Sequence, residues 1–214
     1  MTLAGDSSDT AATQNLGGSS ADPAYHWNFE PNGGCADVAE DNEVMPLTTH
    51  KSNLRDRIDA LEAYGATGGA LGTAWAWYLL SPNWADIWTG PATPRPYSEL
   101  TQIQSNGSPL LRKVVVIMSD GVFNTLRGWK DQNQQTVSDH AKQLCTNMKA
   151  QGIEIFTVAL ALNELPTAER AIAEDTLRSC GTDVHHFYDT LTVDEMRAAF
   201  RDIAVQLTAL SLTE

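Results

Sequence analysis

The residues best placed to do chemistry in this chain are Ser119-Asp120-Gly121, which follow directly after the apolar run 114–118. A short run rich in β-branched residues is typical of a strand buried on both faces at the centre of a parallel sheet. Open α/β sheets bind ligands at the carboxyl ends of their parallel strands, where Asp120 is expected. A lone carboxylate there favours a bound cation or polar ligand, and a turn that merely caps the next element is the alternative.

The elements that must position Asp120 alternate between strand and helix through the second half of the chain. Buried apolar runs predict three strands, over 114–118, 153–162 and 184–188. Helical spacing, Pro166 at a first helical position and a capping box at Thr192 and Glu195 predict three helices, over about 137–148, 166–179 and 192–210. This order predicts an α/β fold with a parallel sheet that is covered by helices on its faces. Three strands are few for such a sheet.

The first half of the chain divides near residue 45. Residues 1–45 are rich in Gly, Ser, Ala and Asp and are expected to be irregular or partly disordered, whereas 46–214 are expected to form the domain. Two helices are predicted at its start: one after Pro46 that buries Leu54, Ile58 and Leu61, and one over 69–80.

The segment 82–111 is predicted to be a long loop because it contains five prolines and little apolar periodicity. Loops of this length are usually functional or mobile. Trp84 and Trp88 are expected to attach part of it to the domain. Because they lie in a loop, these two tryptophans are also the candidates for a partner-binding surface.

Charge and hydropathy exclude some classes of partner. The formal net charge of −13 argues against binding to nucleic acid or to an anionic membrane surface, since both need basic patches. No apolar run approaches the roughly 20 residues of a membrane span. The first residues lack the features of a signal peptide, so any export signal is expected to lie outside this chain.

The three cysteines, Cys35, Cys145 and Cys180, form no CxxC pair, which makes a zinc or redox motif unexpected. Cys145 and Cys180 belong to the two helices that flank the 153–162 strand. Consecutive crossovers in one direction place such helices on the same face of a sheet, which favours a disulfide between them. The alternative is a pair of buried free thiols. Cys35 is then left over, with any partner expected upstream of this chain.

Two other groups of residues suggest catalysis less strongly. His185 and His186 are neighbours in a predicted strand and would point to opposite faces, so we expect one packed and one exposed histidine rather than a shared metal site. Ser119 has no recognisable histidine partner and no Gly-x-Ser-x-Gly context. The glycine-rich turn 65–69 lacks the lysine of a phosphate-binding loop.

Several separate motifs resemble one family. Gly65-Ala-Thr67 opening a helix, and a strand ending in Ser119-Asp120-Gly121, resemble the second and third metal loops of a von Willebrand factor A domain. Over about 45–214 the chain more specifically resembles the C-terminal A domain of TadG-type pilus-assembly proteins. The motifs are Pro46-Leu-Thr48, Gly65-Ala-Thr-Gly-Gly-Ala-Leu-Gly-Thr-Ala-Trp75, Trp77-Tyr-Leu-Leu-Ser-Pro82, Cys145-Thr-Asn-Met-Lys-Ala-Gln-Gly-Ile153, Leu177-Arg-Ser-Cys180 and Phe200-Arg-Asp-Ile-Ala-Val-Gln-Leu207.

The resemblance implies a three-layer α/β fold with a doubly wound parallel sheet, which is expected to be incomplete at its N-terminal strands. It also implies a metal-ion-dependent adhesion site at one edge of that sheet. Thr67 and Asp120 match two of the family's ligand positions and would supply a hydroxyl and a carboxylate oxygen to Mg²⁺ or Mn²⁺, which prefer oxygen ligands. The carboxylate of a protein partner usually completes such a site.

The first loop of the family's site, Asp-x-Ser-x-Ser after a buried strand, is the point at which this chain departs from the pattern. Asp6, Ser8 and Thr10 match its spacing loosely, but no apolar strand precedes them. We therefore expect this chain to be the C-terminal part of a longer protein, whose leading strand and membrane anchor lie upstream. The 114–118 strand would then have an unpaired edge that favours association unless residues 1–45 cover it.

The resemblance implies a non-enzymatic, extracytoplasmic domain of the bacterial cell envelope. Its expected role is to bind a protein component while a tight-adherence (Flp-type) pilus is assembled or anchored. One alternative is an adhesion module for an external protein ligand. Another is a metal-assisted hydrolase that uses Asp120, which needs a catalytic base that the sequence does not reveal.

Overall fold

The computed structural model describes residues 44–61, 67–126, 129–130 and 133–209. Asp6, Ser8, Thr10 and Cys35 lie outside this range. The described residues form a mixed α/β fold in which helices flank a small parallel sheet of three strands. The complete doubly wound sheet implied by the resemblance stays a prediction.

The helices and strands follow one another in nearly the predicted order. The helices are α1 (Lys51–Asp59), α2 (Gly69–Leu80), α3 (Gln134–Ala150), α4 (Thr167–Cys180) and α5 (Val193–Ala209). The strands are β1 (Val114–Ser119), β2 (Thr125–Leu126), β3 (Trp129–Lys130), β4 (Glu154–Leu160) and β5 (Phe187–Thr190). The parallel sheet has the order β1-β4-β5, and β2 and β3 form a short antiparallel pair before α3.

Helices pack on both faces of the sheet because β4 is apolar on both of its faces. Ile155 packs with residues of α2 and α3, whereas its neighbour Phe156 packs with Ala199 and Ile203 of α5. Neighbouring residues of a strand point to opposite faces, so α5 lies opposite α2 and α3. The central strand β4 is thus the one buried on both sides.

A disulfide joins Cys145 of α3 to Cys180 of α4, as the sequence predicted. Both cysteines are completely buried, and they pack in the same core cluster as Leu144 and Ile155. The two helices therefore lie on one face of the sheet, which is the condition on which the predicted bridge depended.

Strand β1 is an edge strand of the described sheet, so the prediction that it is central and buried on both faces was wrong. It pairs with β4 on one side, and no described strand pairs with its other edge. Val116 and Met118 are 39% and 52% exposed. These two side chains would be buried only if a further element packed beside β1. A local apolar run in the sequence cannot show whether such an element is present. Exposed apolar edges of this kind favour association.

Replacing Met118 with lysine is expected to reduce self-association, because a charge on an exposed edge strand opposes edge-to-edge pairing. Light scattering across a concentration series measures the effect. Val184→Lys is the matched control. Val184 is 82% exposed, and its replacement adds the same charge at a position away from β1. Equal association of the two variants and the unmodified chain would show that this edge does not mediate contact.

Helix α1 also differs from its prediction. The helix forms, but none of its residues is buried. Leu54, Ile58 and Leu61 are between 39% and 64% exposed. Their spacing correctly indicated a helix with one apolar face, but within the described residues nothing covers that face.

Trp84 and Trp88 attach the long loop 82–111 to the domain. This finding bears on the prediction that the two residues form a partner surface. Trp84 is only 1% exposed and stacks on Tyr78 of α2, with ring centroids 4.3 Å apart. Trp88 is half-buried, and its indole Nε1 donates to the carbonyl oxygen of Tyr78 at 2.8 Å. The prediction of a partner surface was therefore wrong for Trp84, because the loop folds back and buries its indole in the core. Trp88 packs against the same helix.

Helix α2 runs antiparallel to β1, which fixes where each of its ends lies. At the start of β1, the Nζ of the buried Lys113 donates to the carbonyl oxygen of Leu80, the last residue of α2. Burial lowers the pKa of Lys113, although Glu99 opposes this effect. The opposite end of α2 therefore lies near the carboxyl end of β1, which brings Thr67 towards the loop that contains Asp120.

Candidate cation and partner site

The loop after β1 presents Asp120 to solvent. The hydroxyl of Ser119 donates to the carbonyl oxygen of Gly121 at 2.9 Å and accepts from the Gly121 N–H at 3.3 Å. Ser119 itself is buried, whereas Asp120 is exposed. The serine hydroxyl thus holds the turn, and the carboxylate beside it remains accessible.

Asn124 joins this loop to the one that contains Thr67. The Thr67 N–H donates to Oδ1 of Asn124 at 2.9 Å, and the Asn124 N–H donates to the carbonyl oxygen of Thr67 at 3.1 Å. This pair of hydrogen bonds fixes the start of α2 against the carboxyl end of β1. The structure thus connects the loops of Thr67 and Asp120 through a residue that sequence reasoning missed. The only signal was its place three residues after Gly121.

Gly69 allows this close approach. A Cβ atom at position 69 would lie 2.1 Å from Cδ1 of Phe123, well inside van der Waals contact. Phe123 is only 4% exposed, so its ring is surrounded by other atoms. The first turn of α2 therefore packs directly on the loop after β1, and a side chain at position 69 would separate them.

The oxygens at this edge are few for a metal site. Asp120 supplies an exposed carboxylate and Thr67 a hydroxyl, while Ser119 and Asn124 already make the hydrogen bonds described above. Mg²⁺ takes about six oxygen ligands and usually retains several waters. In the described part of the chain, no group of three or more His, Cys, Asp or Glu side chains is arranged to hold a metal. A cation at this edge would have Thr67 and Asp120 as its two predicted ligands, and its binding stays a prediction.

The start of α2 adds a favourable charge for an anionic group. Its N-cap residue, Gly68, provides no side-chain cap, and no acidic residue lies in the first turn. The N–H groups at the start of a helix carry partial positive charge and attract carboxylates. This edge of the sheet therefore presents Asp120 on the β1 loop and N–H donors on the α2 loop.

An open groove of about 430 Å³ lies at the other edge strand of the sheet, between β5 and α5. Its acidic side chains are largely engaged in structural hydrogen bonds. Asp202 accepts from the hydroxyl of Tyr188 at 2.7 Å, and Glu195 caps the start of α5 by accepting from the Thr192 N–H at 3.3 Å. Burial and the bond to Asp202 raise the pKa of Tyr188 to about 12. These contacts attach α5 to β5 and explain the polar lining without a ligand.

The two histidines do not lie in a strand, because Val184–His186 form a 3-10 helix and β5 begins at Phe187. Asp183 caps this short helix by accepting from the His185 N–H at 2.8 Å. The side chain of His185 is exposed, whereas that of His186 is mostly covered. The predicted strand 184–188 was therefore placed too early, since the cap formed by Asp183 outweighs the β propensity of Val184.

Comparisons with protein-family models, with curated proteins and with solved structures find no match to this chain.

Proposed function

We propose that this chain is a non-enzymatic binding domain of the bacterial cell envelope, which engages a protein partner at the carboxyl-end edge of its parallel sheet. Thr67 and Asp120 hold Mg²⁺ or Mn²⁺ there, and the ion bridges them to a carboxylate of the partner. The partner is a component of a tight-adherence pilus, which the domain helps to assemble or anchor. The pilus role rests on the motif resemblance alone.

The observation that supports this site most directly is the pair of hydrogen bonds between Asn124 and Thr67. Those bonds hold the two loops with candidate ligands at one edge of the sheet. Ligands of α/β sheets bind at this edge. The exposure of Asp120 leaves its carboxylate accessible to both an ion and a partner.

The role of each group follows from its chemistry. The ion supplies a positive charge that a partner's carboxylate can meet directly. Asp120 and Thr67 hold the ion on the protein side, and Asn124 and Gly69 maintain the positions of their loops. The uncapped start of α2 favours the approach of a negative group.

An extracytoplasmic location agrees with the disulfide between Cys145 and Cys180, because disulfides persist mainly in oxidising compartments. Among the helices that the structure describes, none combines the length and apolarity that crossing a membrane requires.

Asp120→Ala in the source organism tests the proposal. We expect fewer surface pili, and weaker capture of pilus components by the purified variant, while the protein level stays unchanged. Asp86→Ala is the matched control, since Asp86 is an exposed carboxylate in the loop after α2, at the opposite end of the sheet.

Two results would change the proposed function. Normal pili together with lost attachment to an external protein would favour the adhesion module. Normal pili and normal attachment would exclude Asp120 from both roles.

A further inference from the structure

His186 lies between two carboxylates at the amino-terminal end of β4, away from the candidate cation site. Its Nδ1 lies 2.8 Å from Oδ1 of Asp183, and its Nε2 lies 3.1 Å from Oε1 of Glu154. The imidazole is only 13% exposed and lies against the ring of Phe156, with the centroids 4.4 Å apart. The side chain thus connects the turn before β5 to the start of β4.

The two bonds require a particular protonation state. A carboxylate only accepts hydrogen bonds, and a neutral imidazole has one N–H, so it can donate to one carboxylate and not to both. The imidazolium form has two N–H groups and satisfies both partners. The observed geometry is therefore that of a positively charged His186.

The network extends from Glu154 to the last helix. The other carboxylate oxygen of Glu154 accepts from Nη2 of Arg112, and Nη1 of the same arginine donates to the carbonyl oxygen of Leu207 in α5 at 3.4 Å. Asp183, Glu154 and Arg112 are the charged groups of this network, and the exposed His185 is the titratable neighbour of His186 in the chain. The charge on His186 thus links the turn before β5, β4 and the end of α5.

We propose that His186 is a pH-sensitive clasp that strengthens the attachment of the turn before β5 to the sheet when it is protonated and weakens this attachment when it is neutral. On loss of the proton, the bond to Glu154 breaks, because the bond to Asp183 is shorter and lies within the same turn. Glu154 keeps Arg112, so α5 stays attached. The turn before β5 is then held to the start of β4 by the two hydrogen bonds between Thr182 and Ile155, which open more readily without the clasp.

The direction of the pH effect follows from the environment of the ring. Burial lowers the pKa of His186, but the bonds to Asp183 and Glu154 outweigh burial and raise it above the ordinary value of 6.5. A raised pKa in the folded state gives stability that is complete below the unfolded-state value and is lost as the pH rises through the folded-state value. The clasp therefore weakens as the pH rises above about 6.5.

The histidine side-chain signals in an NMR pH titration of the whole chain test the clasp. We expect the His186 signal to titrate with a midpoint above 6.5, and Asp183→Asn and Glu154→Gln each to lower that midpoint. Each unit of difference between the folded-state and unfolded-state pKa of His186 corresponds to about a tenfold change in the opening equilibrium. Hydrogen exchange of the Ile155 and Thr182 amides measures this change, because their hydrogen bonds join the turn to β4. A midpoint at or below 6.5, or one unchanged by both substitutions, would overturn the proposal.

His186→Gln separates the clasp from a purely structural role. Glutamine keeps polar contacts but does not titrate, so the melting temperature of the unmodified chain should fall relative to the variant as the pH rises above about 6.5. A constant difference over this range would contradict a pH-sensitive clasp. The titration of the unmodified chain decides the question if His186→Gln does not fold.

Discussion

The double variant Cys145→Ala, Cys180→Ala is expected to lose about 2–5 kcal/mol of unfolding free energy. The bridge joins residues 35 positions apart, so its loss releases a long loop in the unfolded chain. Both sulfurs lie in the core shared by α2, α3 and the sheet, so their removal also costs packing. Chemical denaturation under non-reducing conditions measures the difference.

Reduction provides the control for the disulfide. Addition of a reductant should destabilise the unmodified chain towards the level of the double variant and leave the double variant unchanged. If the reductant destabilises both chains equally, its effect does not come from the disulfide between Cys145 and Cys180. If neither the reductant nor the substitutions lower stability, the bridge does not contribute to the folded state in solution.

Gly69→Ala is expected to destabilise the fold by about 1–3 kcal/mol, because the new Cβ overlaps the ring of Phe123 and forces overpacking. Gly72→Ala in the same helix is the matched control. A Cβ at position 72 meets no atom within 4 Å, so alanine should stabilise α2 by about 0.5–1 kcal/mol through its higher helix propensity. The opposite signs of the two changes, measured by thermal or urea unfolding, are the expected result.

A second substitution locates the cause of the Gly69→Ala effect. Phe123→Ala removes all three ring atoms that a Cβ at position 69 would meet, so the cost of Gly69→Ala should be smaller in the Phe123→Ala background. The same cost in both backgrounds would show that the ring is not the obstacle.

Local sequence patterns predicted the elements that depend on local physics. Helix α2 has its predicted bounds because glycines precede its apolar stretch and Ser81-Pro82 ends it. The capping box at Thr192 and Glu195 forms as expected, with the Glu195 N–H donating to the threonine hydroxyl at 3.2 Å. The disulfide followed from chain order, since the helices of consecutive crossovers share a face.

Burial was predicted less well, because it depends on which elements meet. The apolar pattern of β1 is that of a central strand, yet Val116 and Met118 are exposed since no described element covers them. Trp84 has the sequence context of a surface loop but packs on Tyr78. In both cases exposure depends on how separate elements pack against one another, which a local sequence pattern does not report.

The parts of the sites that escaped prediction join residues far apart in the chain. Asn124 contacts Thr67 across 57 positions, and His186 contacts Glu154 across 32. A single sequence gives no signal for such pairs. Asp120 was predicted from its place after an apolar run and Thr67 from a motif resemblance, and whether they bind a cation stays a prediction.

Paramagnetic broadening by Mn²⁺ in an NMR spectrum of the whole chain tests the cation site most directly. Mn²⁺ at this site should broaden the amide signals of 119–124 and 67–70 first, and added Mg²⁺ should reverse the effect. Asp120→Ala should abolish this selectivity, whereas Asp86→Ala should preserve it. Broadening that is spread over the acidic surface, or that is unchanged by Asp120→Ala, would contradict a cation site at the edge formed by Thr67 and Asp120.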